Sequence, residues 1–311
     1  MVVSHGSLPQ GAARHAVTVG NFDGVHLGHR AMLERLVAQA RALGVPACVL
    51  TFEPHAREFF APQAAPARLT RLREKIELIA DCGADRVHVL RFDARLASLA
   101  AERFVSDALV AGLGTRWLLV GRDFRYGAKR AGDFAALEAA AARHGFTLEA
   151  MADVTLGGAR VSSSGVRAAL AAGDLAGAAK LLGRPYMMSG RIAHGERLGR
   201  KLGYPTANIV LRRAPPLAGI FVVEAELEET HKVLAGVASV GRRPTVRADA
   251  APLLEVHLLD FDGEIYGRHL RVRFLEKLRD ERKFDGLEAL AAAIAADAAR
   301  ARQHFAAAGH A

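Results

Sequence analysis

A chain of 311 residues exceeds what one hydrophobic core ordinarily serves, so two domains are expected. With 51% hydrophobic residues and two cysteines in no paired motif, composition excludes a disordered chain and a disulfide scaffold, and it points to a reducing compartment. The net charge of +9 comes mostly from arginines scattered in ones and twos, which argues against nucleic acid as a partner.

The first thirteen residues show no basic stretch leading into an apolar one, so no secretory leader is expected. No uncharged apolar run reaches the roughly 18 residues of a membrane span. The expectation is a cytoplasmic protein with no membrane partner.

In chain order, apolar runs at 16–19, 47–52, 87–90, 117–120 and 146–150 read as short buried strands. Helical patterns lie between them, at about 30–43, 71–82, 100–112 and 132–144, with two more at about 163–172 and 174–183. Such alternation predicts an α/β domain with a doubly wound parallel sheet, which binds ligands at the carboxyl ends of its strands. Residues 61–67, with two prolines, read as a mobile loop. Gly183-Arg-Pro-Tyr186 breaks the rhythm, which divides the chain into 1–184 and 185–311. Beyond it, extended segments at 187–192, 220–227, 232–240, 253–259 and 270–274 follow one another across Gly, Pro and Asp-Gly turns. They predict an antiparallel barrel or sandwich, closed by an Ala-rich helix from 287 to about 305.

The first stretch with chemistry in it is Val17-Thr-Val-Gly-Asn-Phe-Asp-Gly-Val-His-Leu-Gly-His29. A strand passing through glycines into a helix N-terminus offers free N–H groups and a positive dipole end to an anion. His26 and His29, spaced i, i+3, face one side. Taken alone, the pair reads as packed histidines, and a metal pair would lack a third ligand at a recognisable spacing. In the second half, Thr206 and Asn208 of Pro205-Thr-Ala-Asn208 alternate by two, so an extended segment points both to one face. A hydroxyl and an amide oxygen are suitable hard ligands for Mg²⁺, and a local turn after Pro205 is the plain alternative.

The stretch at 26–29 resembles the HxGH nucleotidylyltransferase superfamily, whose downstream Ser-Ser-Thr-like motif ending in Arg is matched by Val161-Ser-Ser-Ser-Gly-Val-Arg167. Thr51-Phe-Glu-Pro-His55, Arg71-Leu-Arg-Glu-Lys75, Gly121-Arg-Asp-Phe-Arg-Tyr-Gly127 and Arg130-Ala-Gly-Asp133 resemble the bacterial bifunctional riboflavin kinase/FAD synthetase family, with Ala56 and Tyr126 where Pro and Phe are common. Gly190-Arg-Ile-Ala-His-Gly195 and Arg197 to Asn208 look like that family's kinase signature. Ala218-Gly-Ile-Phe221, Ser239-Val-Gly-Arg-Arg-Pro-Thr245 and Glu255-Val-His-Leu-Leu-Asp260 continue it, with Ser239 replacing Asn. The matched motifs run from about 17 to about 305.

The resemblance implies two reactions: ATP with riboflavin gives FMN, and ATP with FMN gives FAD and pyrophosphate. It implies His26, His29 and Arg167 as catalytic for adenylyl transfer and Glu255 as the kinase base. It implies Gly20, Asn21, Phe22, Asp23, Gly24, Ser163 and Ser164 at one ATP, and Gly190, Gly195, Arg197, Gly203 and Thr206 at the other. His55, Asp123, Phe124, Arg130, Gly219 and Phe221 would face flavin, and Thr206 with Asn208 would hold Mg²⁺. Two rivals stand beside it. A different HxGH cytidylyl- or adenylyltransferase would leave the Pro-Thr-Ala-Asn barrel unexplained. A binding regulator built on a decayed enzyme would not keep His26, His29, Ser163, Arg167, Thr206, Asn208 and Glu255.

Overall fold

A computed structural model describes residues 1–8, 13–193, 204–241 and 252–307. Within them lie two compact units: Met1–Pro66 with Leu72–Ser162, and Ala67–Arg71 with the residues from Ser163 on. No helix among the described residues is long and apolar enough to cross a membrane.

The first unit is built on six strands: β1 (Val2–Gly6), β2 (His15–Val19), β3 (Ala47–Glu53), β4 (Arg86–Arg91), β5 (Thr115–Gly121) and β6 (Thr147–Met151). Their order is β1-β4-β3-β2-β5-β6, with every neighbouring pair parallel. Each apolar run expected as a strand is one. The edge strand β1 escaped notice because its side chains are largely exposed and carry no buried stripe.

Helices cover both faces of this sheet. Alternation sends Ala47, Val49, Trp117 and Leu119 to a core shared with α1 (Leu27–Leu43), and Cys48, Leu50, Leu118 and Val120 to the opposite one. Helix α1 buries Leu33, Leu36, Val37 and Ala40, spaced as one helical stripe, and stops at Gly44 in the left-handed region. It begins three residues before the expected Arg30 because His26 caps it. Short helices α2 (Ala56–Phe60), α3 (Leu72–Asp81), α4 (Ala94–Ala97) and α5 (Ala101–Arg103) follow. Helix α5 continues as a wider π-helical stretch, Phe104–Gly112, so the expected helix at 100–112 is present with a changed pitch. After α6 (Phe134–His144), the ribbon β7 (Thr155–Leu156) and β8 (Ala159–Arg160) completes the unit.

The second unit is antiparallel. Strands β9 (Tyr186–Arg191), β10 (Thr206–Val210), β11 (Gly219–Leu227), β12 (Lys232–Gly241), β13 (Leu253–Leu258) and β14 (His269–Arg279) take the order β10-β13-β12-β11-β14-β9. A bridge between Ala193 and Asn208 links the chain after β9 to β10, bringing the sheet round upon itself. Its interior holds Phe221, Phe274, Val223, Leu254 and Val256, and helices α7 (Ser163–Ala171) and α8 (Leu175–Leu182) add Val166, Leu170, Leu175 and Leu182 to that same core. These helices, expected to close the first half, therefore pack with the barrel. Their stripes announce a buried face but not which core buries it. The outer face, bearing Ile220 and Val222, is covered by Ala298, Ala301 and Phe305 of the terminal helix α9 (Leu287–Ala307). Residues 61–66 have no regular structure. The segment after them is anchored: Leu69 is buried in the barrel core, and Arg71 donates to the carbonyls of Ser189 (2.9 Å) and Val210 (3.2 Å).

Two candidate active sites

In the first unit the chain order reverses direction between β2 and β5, and open parallel sheets bind ligands outside the carboxyl ends at such a point. A cavity of about 220 Å³ lies there, lined by Val19, Gly20, Phe22, His26, Gly28 and His29 after β2, by Gly121, Asp123 and Phe124 after β5, and by residues following β6. The β2–α1 turn is tightly folded. Phe22, Gly24 and Val25 have φ of +48°, +87° and +39°, a strained region for a β-branched residue such as Val25. Gly28 packs closely under the pair: a Cβ there would lie 3.2 Å from the His26 ring, so the imidazole would have to shift by a few tenths of an ångström.

The two imidazoles stack, with centroids 3.7 Å apart and planes at 16°. The backbone N–H of His29 donates to His26 Nδ1 at 3.3 Å, so a neutral His26 carries its proton on Nε2. His29 Nδ1 is buried with no hydrogen-bond partner among the described residues. Burial first, then the neighbouring His26 and Lys75, hold the His29 pKa well below the usual imidazole value. His29 is thus neutral at physiological pH. It offers a hydrogen-bond donor without a cation in a poorly solvated place, which suits stabilisation of charge developing on a phosphoryl group.

Arg160 was missed by sequence reasoning, although the rule about strand ends would have led to the loop after β6. It lines the cavity and bridges Asp123 and Asp153 at 3.0 Å each. Asn21, Asp23, Gly24, His55 and Arg130 are not among the lining residues. Asp23 and Gly24 are buried in the turn, Asn21 and Arg130 are exposed, and His55 is buried with its Nε2 2.9 Å from Nζ of the fully buried Lys75. Behind His55 an aromatic cluster opens to solvent: Phe59, Phe60 and Phe92 pack with centroids 5.3–5.8 Å apart, and Phe60 is 65% exposed. Ser162 lines the cavity. Ser163 opens α7, which carries Ser164 and Arg167, and the Arg167 Nε donates to the Ala67 carbonyl at 2.6 Å within the second unit.

The second unit has its own cavity, of about 280 Å³, on the outer face of the barrel against α9. Thr206, Glu255, Ser239 and His257 line it, together with Ile220, Val237, Leu290 and Ile294. Register explains the grouping. Glu255 stands directly between Asn208 on β10 and Ser239 on β12, and partners across antiparallel strands share a face. Asn208 is buried, and its Nδ2 donates to the Thr206 carbonyl at 3.3 Å. Its Oδ1 is buried with no hydrogen-bond partner among the described residues. A buried, unpaired amide oxygen beside a hydroxyl is a donor set that fits a hard divalent cation, so these residues suit Mg²⁺.

Other predicted positions separate from this group. Phe221 lies inside the barrel, 0% exposed and edge-on to Phe274, because strand alternation turns Ile220 rather than Phe221 toward the cavity. Gly219, at φ +126°, sits where a Cβ would come 2.7 Å from the Arg279 carbonyl. Gly190 lets β9 approach β10, since a Cβ there would collide with the Ile209 side chain. Both glycines thus have a packing reason. Gly195, Arg197, Gly203 and the 243–245 part of the Arg-Pro-Thr loop lie outside the described residues.

Residues 8–165 match the family profile described as FAD synthetase, and residues 182–305 match that described as riboflavin kinase. A protein of Pseudomonas fluorescens is 52% identical over 286 residues, covering 92% of this chain and 91% of that protein. One of Escherichia coli strain K12 is 49% identical over 290 residues, covering 93% and 92%. One of Haemophilus influenzae is 44% identical over 291 residues, covering 93% and 94%. All three are named bifunctional riboflavin kinase/FMN adenylyltransferase. Among solved structures, one titled macrolide-efflux protein from Streptococcus pneumoniae superposes with a TM-score of 0.81 at 27% identity, covering 97% of this chain and 99% of that one. That likeness carries the architecture, and the chemistry rests on the profiles and the relatives.

Proposed function

The chain belongs to the family of bifunctional riboflavin kinase/FMN adenylyltransferases, and from that premise we propose how its residues divide the work. Residues 185–311 phosphorylate riboflavin, and residues 1–184 transfer AMP to the FMN produced. The functional boundary differs from the packing boundary. Helix α7 packs with the barrel, yet its Ser163, Ser164 and Arg167 belong to the adenylylation motif. What supports this reading most is that each unit has its own cavity lined by residues of its own motif: His26 and His29 in one, Thr206 and Glu255 in the other.

In adenylyl transfer, the FMN phosphate attacks the α-phosphorus of ATP and pyrophosphate leaves, a reaction that needs positioning and charge stabilisation more than covalent help. His26 and neutral His29 donate to the α-phosphate oxygens as negative charge grows. Gly20 to Gly24 bring the backbone close to the nucleotide. Ser163, Ser164 and Arg167 hold the β- and γ-phosphates, the helix N-terminus adding its dipole. Asp123, Phe124, His55 and Arg130 serve the flavin side, where the exposed rings of Phe59 and Phe60 offer a planar heterocycle a stacking surface.

In the kinase, Glu255 accepts the proton of the ribityl 5′-hydroxyl as it attacks the γ-phosphorus. Thr206 and Asn208 Oδ1 would hold Mg²⁺, which when bound supplies positive charge against the triphosphate. Riboflavin, FMN and ATP are thus the partners, and a cytoplasmic setting accords with the free thiols of Cys48 and Cys82.

Incubating the purified chain with riboflavin, ATP and Mg²⁺ and separating flavins by chromatography over time tests the assignment. FMN should rise first and FAD follow. Absence of both products overturns the reading, and FMN without FAD removes its adenylylation half.

A further inference from the structure

Within the charged run Leu275–Phe284, one carboxylate faces the kinase cavity. Glu281 lines that cavity alongside Glu255, at the exposed rim. The Ser239 hydroxyl donates to Glu281 Oε1 at 3.0 Å, and Ser239 is the residue directly opposite Glu255 on the neighbouring strand. Gly241, two residues along the same strand, has no side chain where one would collide with the Glu281 carboxylate.

Among the described residues, two neighbouring cations are engaged elsewhere. Arg279 holds the Asp297 carboxylate through Nε at 3.1 Å and Nη2 at 2.7 Å, and the guanidinium of Arg282 lies 4.9 Å over the Phe284 ring. Partial burial pushes the Glu281 pKa up, opposed by the Ser239 hydrogen bond and by Arg279. The result is a held acceptor group at one side of a cavity that has an apolar wall, Ile220, Val237, Leu290 and Ile294, beside the polar Thr206 and His257. A carboxylate repels phosphate oxygens, so such a subsite does not serve the nucleotide. It suits the neutral, hydroxylated end of a molecule whose other end is flat and apolar.

We propose that Glu281, oriented by Ser239, is the positioning residue for the phosphoryl acceptor: it accepts a hydrogen bond from a ribityl hydroxyl next to the one that Glu255 deprotonates. This rests on the riboflavin kinase reading above. Loss of a hydrogen bond to a charged group weakens binding by about tenfold or more.

The test uses the full chain with Glu281→Ala and Glu281→Gln. Glu281→Ala should raise the KM for riboflavin at least about tenfold, with kcat for FMN formation within about twofold and the KM for ATP unchanged. Glu281→Gln, which keeps a carbonyl acceptor, should fall between. Riboflavin analogues lacking one ribityl hydroxyl should show the hydroxyl concerned, because the Ala substitution adds no further penalty for that analogue. A thermal midpoint matching that of the unaltered chain reports folding in both variants. An unchanged riboflavin KM, a matching rise in the KM for ATP, or an equal penalty with every analogue overturns the proposal. Failure of the unaltered chain to make FMN is a different result and sinks the kinase reading itself.

Discussion

His29 illustrates how much a single side chain's surroundings decide. Its pKa is depressed in the folded chain by burial, His26 and Lys75, whereas in the unfolded chain it titrates near about 6.5. Between those values the unfolded chain binds more protons, so stability falls as pH drops through that window and is fully present above it. Thermal midpoints should therefore decline less steeply between about pH 7.5 and 5.5 in His29→Gln than in the unaltered chain; identical slopes would show that His29 has no such role. Asn208 gives a second residue-level test. Its unpaired buried Oδ1 costs stability, so Asn208→Ala should leave the thermal midpoint unchanged or higher. The same substitution should raise the Mg²⁺ concentration needed for half-maximal FMN formation about tenfold, while FAD formation from FMN is unaffected. A drop in midpoint with unaltered Mg²⁺ dependence would assign Asn208 to structure alone.

Legibility differs between elements for physical reasons. The buried parallel strands and the helices between them declare themselves by composition and period, and Pro205-Thr-Ala-Asn208 did so by a period of two. That same alternation separates Ile220 from Phe221: one faces the cavity and the other the barrel core. The motif's resemblance says nothing of face, which is why Phe221 was expected at the flavin. The pairing of Ser239 with Glu281 spans 42 residues and has no local signature, nor does the widened pitch of Phe104–Gly112. Helix α9 depends on a similar long-range contact. Asp297 is buried and takes three short contacts from Arg279, so Asp297→Ala leaves a partly buried cation without its partner. A loss of about 3 kcal/mol is expected, read as a lowered urea midpoint together with a slower kinase. An unchanged midpoint would mean that the ion pair does not hold the helix.

At the scale of the whole chain, two ATP-using centres stand in series, the product of the barrel serving as acceptor for the parallel sheet. Two separate cavities, each lined by its own motif, make the centres separable by substitution. The most direct measurement is a crossed assay of His29→Ala and Glu255→Ala, each checked for folding. His29→Ala should convert riboflavin to FMN and stop there, with FAD formation reduced about 10²–10³-fold, as for loss of a charge-stabilising donor. Glu255→Ala should fail with riboflavin yet make FAD when given FMN, and a mixture of the two variants should restore conversion of riboflavin to FAD. Loss of both activities in either folded variant, or a mixture that makes no FAD, would contradict the account.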